Sequence, residues 1–236
     1  DFSWTPTEAQ GGDNYSVTIT VTDNGTNTAN LFDSETFTIS VAEVNTAPQL
    51  ALIGNKNVDE ETELAFTATA TDNDSPAQTL TFSLDAPSIA LGMSITPGGD
   101  FSWTPTEAQG GDNYSVTITV TDDGTNTANL FDSETFTISI AEVNTAPLLA
   151  TIGNQTVDEL STLTFTASAI DSDLPAQNLT FGLDAASISV GMTIDPTSGE
   201  FSWTPTEAQG DDDYSVTISV NDNGTNPNSL SDFKTI

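Results

Sequence analysis

Cysteine and histidine are absent, and basic residues are nearly so: only Lys56 and Lys234 occur among 236 residues. Without Cys or His, sites for zinc, haem and iron–sulfur clusters lose their usual ligands, and Ser-His-Asp and Cys-His catalysis lose theirs. No disulfide can staple the fold. The two lysines face 35 acids, for a net charge of −33. Carboxylates in such a chain have almost no internal cation to pair with, so they are solvated, protonated or neutralised by metal ions. An acidic halophile would show a similar imbalance. The same balance repels the phosphates of nucleic acid and anionic membrane surfaces. No apolar run reaches the length of a membrane span, and no signal-peptide pattern opens the chain.

What is present is repetition. "FSWTPTEAQGG" begins at Phe2 and Phe101, and "FSWTPTEAQGD" begins at Phe201. "NTAP" recurs at Asn45 and Asn144. Residues 1–50 differ from 100–149 at three positions only: Asn24/Asp123, Val41/Ile140 and Gln49/Leu148. A period near a hundred residues is too long for a solenoid unit and suits an independent sandwich domain. The expected frame is a C-terminal piece (1–44), one complete repeat (45–143), and a third repeat (144–236) that lacks the end of its last strand. Asp1 falls in mid-repeat, so a piece of a longer chain is expected. "AEVNTAP" joins the repeats without a flexible Gly/Ser linker, which predicts close neighbours with a defined geometry.

Within a repeat the hydrophobic period is two. Tyr114, Val116, Ile118 and Val120 alternate with Ser and Thr, as do Leu64, Phe66, Ala68 and Ala70. Leu80, Phe82 and Leu84 behave alike, and so do Phe136, Ile138 and Ile140. Short alternating runs bounded by turn residues read as half-buried strands. Seven are expected, at about 49–58, 62–71, 79–85, 93–96, 100–104, 113–121 and 134–141, as an antiparallel two-sheet sandwich. Phe101 and Trp103 flank Ser102, which places both aromatics in the core, and Trp203 likewise; Pro105 ends that strand.

The acids gather near strand ends. Asp72 and Asp74 close one strand as D-x-D, and Asp171 and Asp173 repeat it. Asp122 and Asp222 end another; Glu60 and Glu159 sit in "VDEE" and "VDEL". Glu8, Glu107 and Glu207 lie in "TPTEAQ", while Glu43 and Glu142 precede Asn45 and Asn144. Clustered carboxylates repel one another unless a cation holds them. Oxygen donors without His or Cys suit Ca²⁺, which takes about six to eight of them. The stretch Asp123–Glu134 matches an EF-hand only in length: it lacks the glycine at its sixth position and lies between strands.

"ATDNDSPAQTLTFSL", "MTIDPTSGEFSWTPTEAQ", "YSVTITVTDDG" and "AEVNTAP" run in the order of cadherin-type repeats. Over its whole length the chain resembles bacterial cadherin-like (dystroglycan-type, or immunoglobulin-like) domains, which form long arrays in large surface and secreted proteins. The fold the resemblance implies is all-β, with tandem seven-stranded antiparallel Ig-like/cadherin-like sandwiches joined end to end. It also implies Ca²⁺ between consecutive domains. Carried over by motif, one junction would use Glu60, Glu107, Glu142 and Asn144 with Asp171, Asp173 and Asp222. The other would use Glu8, Glu43 and Asn45 with Asp72, Asp74 and Asp122. Pro105-Thr106-Glu107 stands where cadherins carry Asp-Arg-Glu, and the linker is poorer in acids, so fewer or weaker Ca²⁺ ions per junction are expected.

The function expected is that of Ca²⁺-stiffened extender repeats in an extracellular or surface protein, secreted and bacterial. The partners would be neighbouring repeats of the same long chain, like chains in a filament, or surface polysaccharide. The competing reading is a Ca²⁺-dependent polysaccharide-binding module, which a solvent-facing aromatic row would favour. Paired carboxylates also serve glycosidases, but here the same acids recur in every repeat, and an enzyme is not expected. Ice binding by Thr rows conflicts with sheet twist. Sequons occur at Asn14, Asn24, Asn113, Asn154, Asn178 and Asn223.

Overall fold

A computed structural model of the chain describes residues 1–25, 29–124 and 128–236. Thr26, which completes the sequon at Asn24, and part of the EF-hand-like stretch lie outside the described residues. By contact density the chain divides into two compact units. The first comprises Asp1–Lys56, Glu63–Thr104 and Asn113–Ile138; the second comprises Asn57–Thr62, Pro105–Asp112 and Ser139–Ile236.

The fold is an all-β sandwich, repeated. In the middle repeat one sheet runs in the order Lys56–Asp59, Phe131–Ala141, Asn113–Thr121, Thr81–Leu84. A three-stranded sheet, Leu64–Thr67, Asp100–Trp103, Ser94–Ile95, forms the other layer, with Gln49–Leu50 paired to Ala70–Thr71. The third repeat follows the same plan. Leu163–Thr166, Glu200–Trp203 and Thr193–Ile194 make one sheet, Thr180–Leu183, Thr217–Asn221 and Ser231–Thr235 the other, and Leu148–Leu149 pairs with Ala169–Ile170. The first repeat contributes the hairpin Asn14–Thr22/Phe32–Ser40.

Alternation decides which faces meet. Val116, Ile118 and Val120 are fully buried, as are Ile138 and its neighbours Phe136 and Ile140, while the intervening Ser and Thr face outward. Trp103 and Trp203 are core residues, 2% and 8% exposed. Each indole N–H donates to a backbone carbonyl, Leu91 and Val190 respectively, at 3.1 Å. Each ring meets a tyrosine edge-on, Tyr114 at 5.5 Å and Tyr214 at 5.0 Å. Trp4 and Tyr15 repeat the pair at 5.1 Å. In the middle and third repeats "FSWTPT" is therefore a core strand, whereas in the first Phe2 is exposed and residues 1–7 form no strand.

Two expected strands are interrupted. The run 49–58 breaks after Leu50, where Glu134 takes the amides of Ile53 and Gly54 at 2.7 and 2.9 Å, and resumes at Lys56 in the other sheet. The run 62–71 breaks at Ala68, whose amide bonds Gly99 at 2.8 Å. Gly99 has φ +98, and a Cβ there would strike the Ala68 carbonyl, so only glycine fits. Alternation does not foretell a one-turn helix either: Ala86–Ala90 and Ala185–Ser189 follow capping Asp85 and Asp184.

Candidate metal centres

The acids separate into two sets, each within one unit. Glu8, Glu43, Asp72, Asp74 and Asp122 lie in the first, with Asn45; Glu60, Glu107, Glu142, Asp171, Asp173 and Asp222 lie in the second, with Asn144.

Short, well-defined turns bring them together. A 3₁₀ turn, Glu107–Gln109, is closed by Thr106, whose amide donates to Gln109 at 2.8 Å, and this fixes Glu107 at the turn's start. Glu207 and Glu8 occupy the same turn in the other repeats. Glu60 follows Lys56–Asp59, and its amide holds Ala141 at 3.1 Å. That bond sets Glu60 beside Glu142, 82 positions away in sequence. Glu60, Glu107 and Glu142 bring carboxylate oxygens within 4.8 Å of one another, and so do Glu8, Glu43 and Asp74. Gly110 packs flat against the first of these triads: a Cβ there would collide with the carboxylates of Glu60 and Glu142. Gly11 stands against Glu43 in the same way.

The D-x-D pairs are organised by their own backbone. The Asp173 amide donates to Asp171 Oδ1 at 3.0 Å, and the Asp74 amide to Asp72 at the same distance. Both oxygens of Asp173 accept from the Thr145 amide, and Oδ1 also from the Thr145 hydroxyl; Asp74 and Thr46 repeat this. Glu107 accepts from the Leu174 amide at 2.9 Å, which ties the triad to the loop that carries Asp171 and Asp173. Glu8 accepts from Ser75 at 3.4 Å. Asp122 and Asp222 are buried and serve their own loops. Each accepts from a glycine and a leucine amide, Gly124 and Leu130 or Gly224 and Leu230, at 2.9–3.1 Å. Each also accepts from an asparagine side chain, Asn45 or Asn144, at 3.2 Å.

One pair of residues escapes motif reading. Gln177 donates to Asn144 Oδ1 at 2.5 Å and to Asp173 Oδ2 at 2.7 Å; Gln78 does the same with Asn45 and Asp74 at 2.5 and 2.6 Å. The only signal for them in sequence is the shared "PAQ" four residues beyond each D-x-D.

The electrostatics are those of anions lacking a counter-ion. Burial first, then repulsion from Glu60 and Glu107, pushes the Glu142 carboxyl up to about 7. Burial also raises Glu60, aided by Glu107, and burial with the charge of Glu8 raises Glu43. The lysines are elsewhere. Lys234 pairs with Asp232 at 3.3 Å, and Lys56 bonds the Ile53 carbonyl at 2.7 Å and lies over the Phe66 ring. Buried oxygens without a hydrogen-bond partner recur in register: Glu43, Asp72 Oδ2 and Gln78 Oε1 in one set, Glu60 Oε2, Glu142 Oε2, Asp171 Oδ2 and Gln177 Oε1 in the other. An unsatisfied buried acceptor costs about 1–3 kcal/mol, more when charged. An all-oxygen donor set of carboxylates and carboxamides fits a hard cation of the Ca²⁺ type.

Sequence comparison places the fold among known domains. The chain matches the family described as "Putative Ig domain" twice, over residues 47–141 and 146–235. The chain belongs to this family. Its Ig-domain repeats also resemble solved cadherin structures. Mouse cadherin-23 EC22-24 superposes with a TM-score of 0.51 at 19% identity, over 93% of this chain and 73% of that one. Human CDH23 EC21-23 gives 0.51 at 16% identity, over 86% and 67%. PcdhgB3 EC1-4 gives 0.53 at 16% identity, over 98% of this chain and 58% of that one, so this chain spans little more than half of that structure. At these identities the likeness is one of fold. No protein of curated function matches the sequence. Among the described residues, no helix is long and apolar enough to cross a membrane.

Proposed function

We propose that these Ig-domain repeats are structural extenders of a large extracellular adhesin, matrix or filament protein, stiffened by Ca²⁺ at joints near Asn45 and Asn144. The repeats would then run 1–44, 45–143 and 144–236. The observation that carries this reading is the set of unpartnered buried carboxylate and carboxamide oxygens, present twice in the same register. Bound Ca²⁺ would supply two positive charges to oxygens that otherwise repel. Glu60, Glu107 and Glu142, from the end of one repeat, and Asp171, with the Gln177 carbonyl, from the next, are the residues that would hold it. Glu8, Glu43, Asp72 and Gln78 are their counterparts at the other joint. Asp173, Asp74, Asp222 and Asp122 orient the loops, and Asn144 and Asn45 link them.

Near-identical copies serve a spacer, which needs length rather than individual chemistry. A polysaccharide-binding module would need an aromatic platform in solvent, and Trp103 and Trp203 are in the core.

The test is calorimetry of EDTA-stripped chain with Ca²⁺, paired with small-angle scattering. Binding that survives physiological salt, a longer and stiffer particle and unchanged β content are expected. A hundredfold excess over Kd adds about 2.7 kcal/mol to the ordered joint. Absence of heat, with equal maximum dimension in EDTA and Ca²⁺, refutes the proposal.

A further inference from the structure

Both lysines of the chain stand at one corner of their repeats, the bend that follows Leu50 in the middle repeat and Leu149 in the third. The two corners share a frame. Asp132 takes the Leu50 amide at 2.8 Å, and Asp232 takes the Leu149 amide at 3.0 Å. In each, a side chain of the bend holds one of its carbonyls: Lys56 Nζ donates to Ile53 at 2.7 Å, and Gln155 Nε2 to Gly153 at 2.9 Å.

The bend amides differ. In the middle repeat the Glu134 carboxylate spans them as a fork, Oε2 on Ile53 at 2.7 Å and Oε1 on Gly54 at 2.9 Å. In the third repeat Lys234 stands at the Glu134 position and Gln155 at the Lys56 position, so the lysine has changed sides and the carboxylate is gone. Among the described hydrogen bonds, none uses the amides of Ile152 or Gly153, the counterparts of Ile53 and Gly54. Space over Gly153 is open: a Cβ there would meet nothing within 4 Å. The Lys234 ammonium lies 3.3 Å from Asp232, the same carboxylate that holds the Leu149 amide. This corner keeps a cation and two amide donors and lacks the anion. Every residue of the middle repeat's latch has a counterpart in the third, and the residue that removes the anion is Lys234.

We propose that the third repeat's corner binds a small carboxylate anion, which takes the place that Glu134 fills in the middle repeat. One carboxylate oxygen meets the Ile152 amide and the other the Gly153 amide, as successive backbone amides at a bend bind anions elsewhere. Lys234, on the strand position of Glu134, supplies the charge. It shares its ammonium with Asp232, and the chain carries a net charge of −33, so affinity is modest and chloride competes. Binding has a conformational signature as well. Gly54 has φ +69 beneath its carboxylate, whereas Gly153 is not left-handed. Glycine crosses between the two conformations at little cost, and the bound bend takes that of Gly54. The site stands apart from the acidic joints and needs no Ca²⁺.

The test is amide-resolved NMR of the whole chain in EDTA, with acetate replacing chloride at constant ionic strength. The Ile152 and Gly153 amide resonances should shift saturably, and those of Ile53 and Gly54 should not, because Glu134 already fills their corner. Lys234→Gln should weaken binding about tenfold, for the loss of one charge-assisted hydrogen bond. Gly153→Ala should weaken it by a similar factor, because alanine resists positive φ. Lys234→Glu supplies the carboxylate from within: it should move both amides to their acetate-bound positions without ligand and abolish the response to acetate. Glu134→Ala should make Ile53 and Gly54 respond in turn. Shifts that grow linearly to the highest acetate concentration, an equal response at Ile53 and Gly54 in the unaltered chain, or acetate binding that persists in Lys234→Glu overturns the proposal.

Discussion

Gln177 Nε2 lies 2.5 Å from Asn144 Oδ1, and the carbonyl oxygen of the same side chain is buried without a hydrogen-bond partner. Gln78 and Asn45 repeat the relationship. The linker asparagine, the second D-x-D aspartate and this glutamine form one hydrogen-bonded unit, so the loop is built before any cation arrives. Gln177→Ala should therefore weaken Ca²⁺ binding at its own site by about an order of magnitude and leave the Gln78 site unchanged. Two-site calorimetry reads this directly; loss at both sites, or at neither, contradicts it.

The two aspartates of a D-x-D pair should behave differently. Asp171 keeps Oδ2 unpartnered and uses Oδ1 for the Asp173 amide, whereas both oxygens of Asp173 are bonded within the protein. Asp171→Asn retains the amide acceptor, so it should lower Ca²⁺ affinity with little change in melting temperature in EDTA. Asp173→Ala leaves the Thr145 amide without its acceptor and removes one of the two acceptors of Gln177, and should cost about 1–3 kcal/mol even in EDTA. Denaturant melts of both variants, with and without Ca²⁺, separate the roles.

Stability without metal should fall as pH rises. Glu142 titrates at about 7 in the folded chain, above its ordinary value of 4.5. A raised pKa means the folded state favours the protonated form. Its contribution is therefore complete below about 4.5 and is lost as pH passes through about 7. Glu60 and Glu43 shift in the same direction. Melting temperature in EDTA should decline between pH 5 and pH 8, and Glu142→Gln should flatten that decline. With Ca²⁺ present the slope should reverse, because protons compete with the cation.

Asp184 works in the opposite direction. The hydroxyl and amide of Ser187, at 2.6 and 2.9 Å, and the Thr217 amide, at 2.7 Å, hold its carboxyl at about 2. A lowered pKa contributes stability above the ordinary value near 3.8 that is lost as pH falls through about 2. Asp184→Ala should cost about 1–3 kcal/mol at neutral pH, for the loss of a cap and a cross-strand amide acceptor. The loss should shrink in acid.

Trp103→Ala should cost about 3–5 kcal/mol, as expected for a large aromatic removed from a packed core. Wild-type tryptophan emission should lie at short wavelength and resist quenching. Because Trp4 packs on Tyr15 of the hairpin and is only half-buried, it should supply most of any quenchable fraction, and Trp4→Phe should remove it.

Alternation alone determined that Val116, Ile118, Val120, Phe136, Ile138 and Ile140 form the core and that the chain is a repeated sandwich. Side-chain direction in a strand follows the backbone's own period of two, whatever the strand pairs with. The same local logic placed Trp103 inside. It could not foretell that the run 49–58 changes sheets after Leu50, because Glu134, far along the chain, takes the amides that break it. Nor could it find the helix Ala86–Ala90, since five residues are too few to show a helical period. For the acids, the motif order named Glu60, Glu107, Glu142, Asp171 and Asp173. Which oxygens are spent on hydrogen bonds was decided only by the tertiary structure, which gives the Asp122 and Asp222 carboxylates to amides of their own loops and sets Gln78 and Gln177 against Asp74 and Asp173. Hydrogen-bond satisfaction depends on where the amides of Thr145, Leu174 and Leu230 come to rest. Distant parts of the chain settle that together; the spacing of acids along it does not.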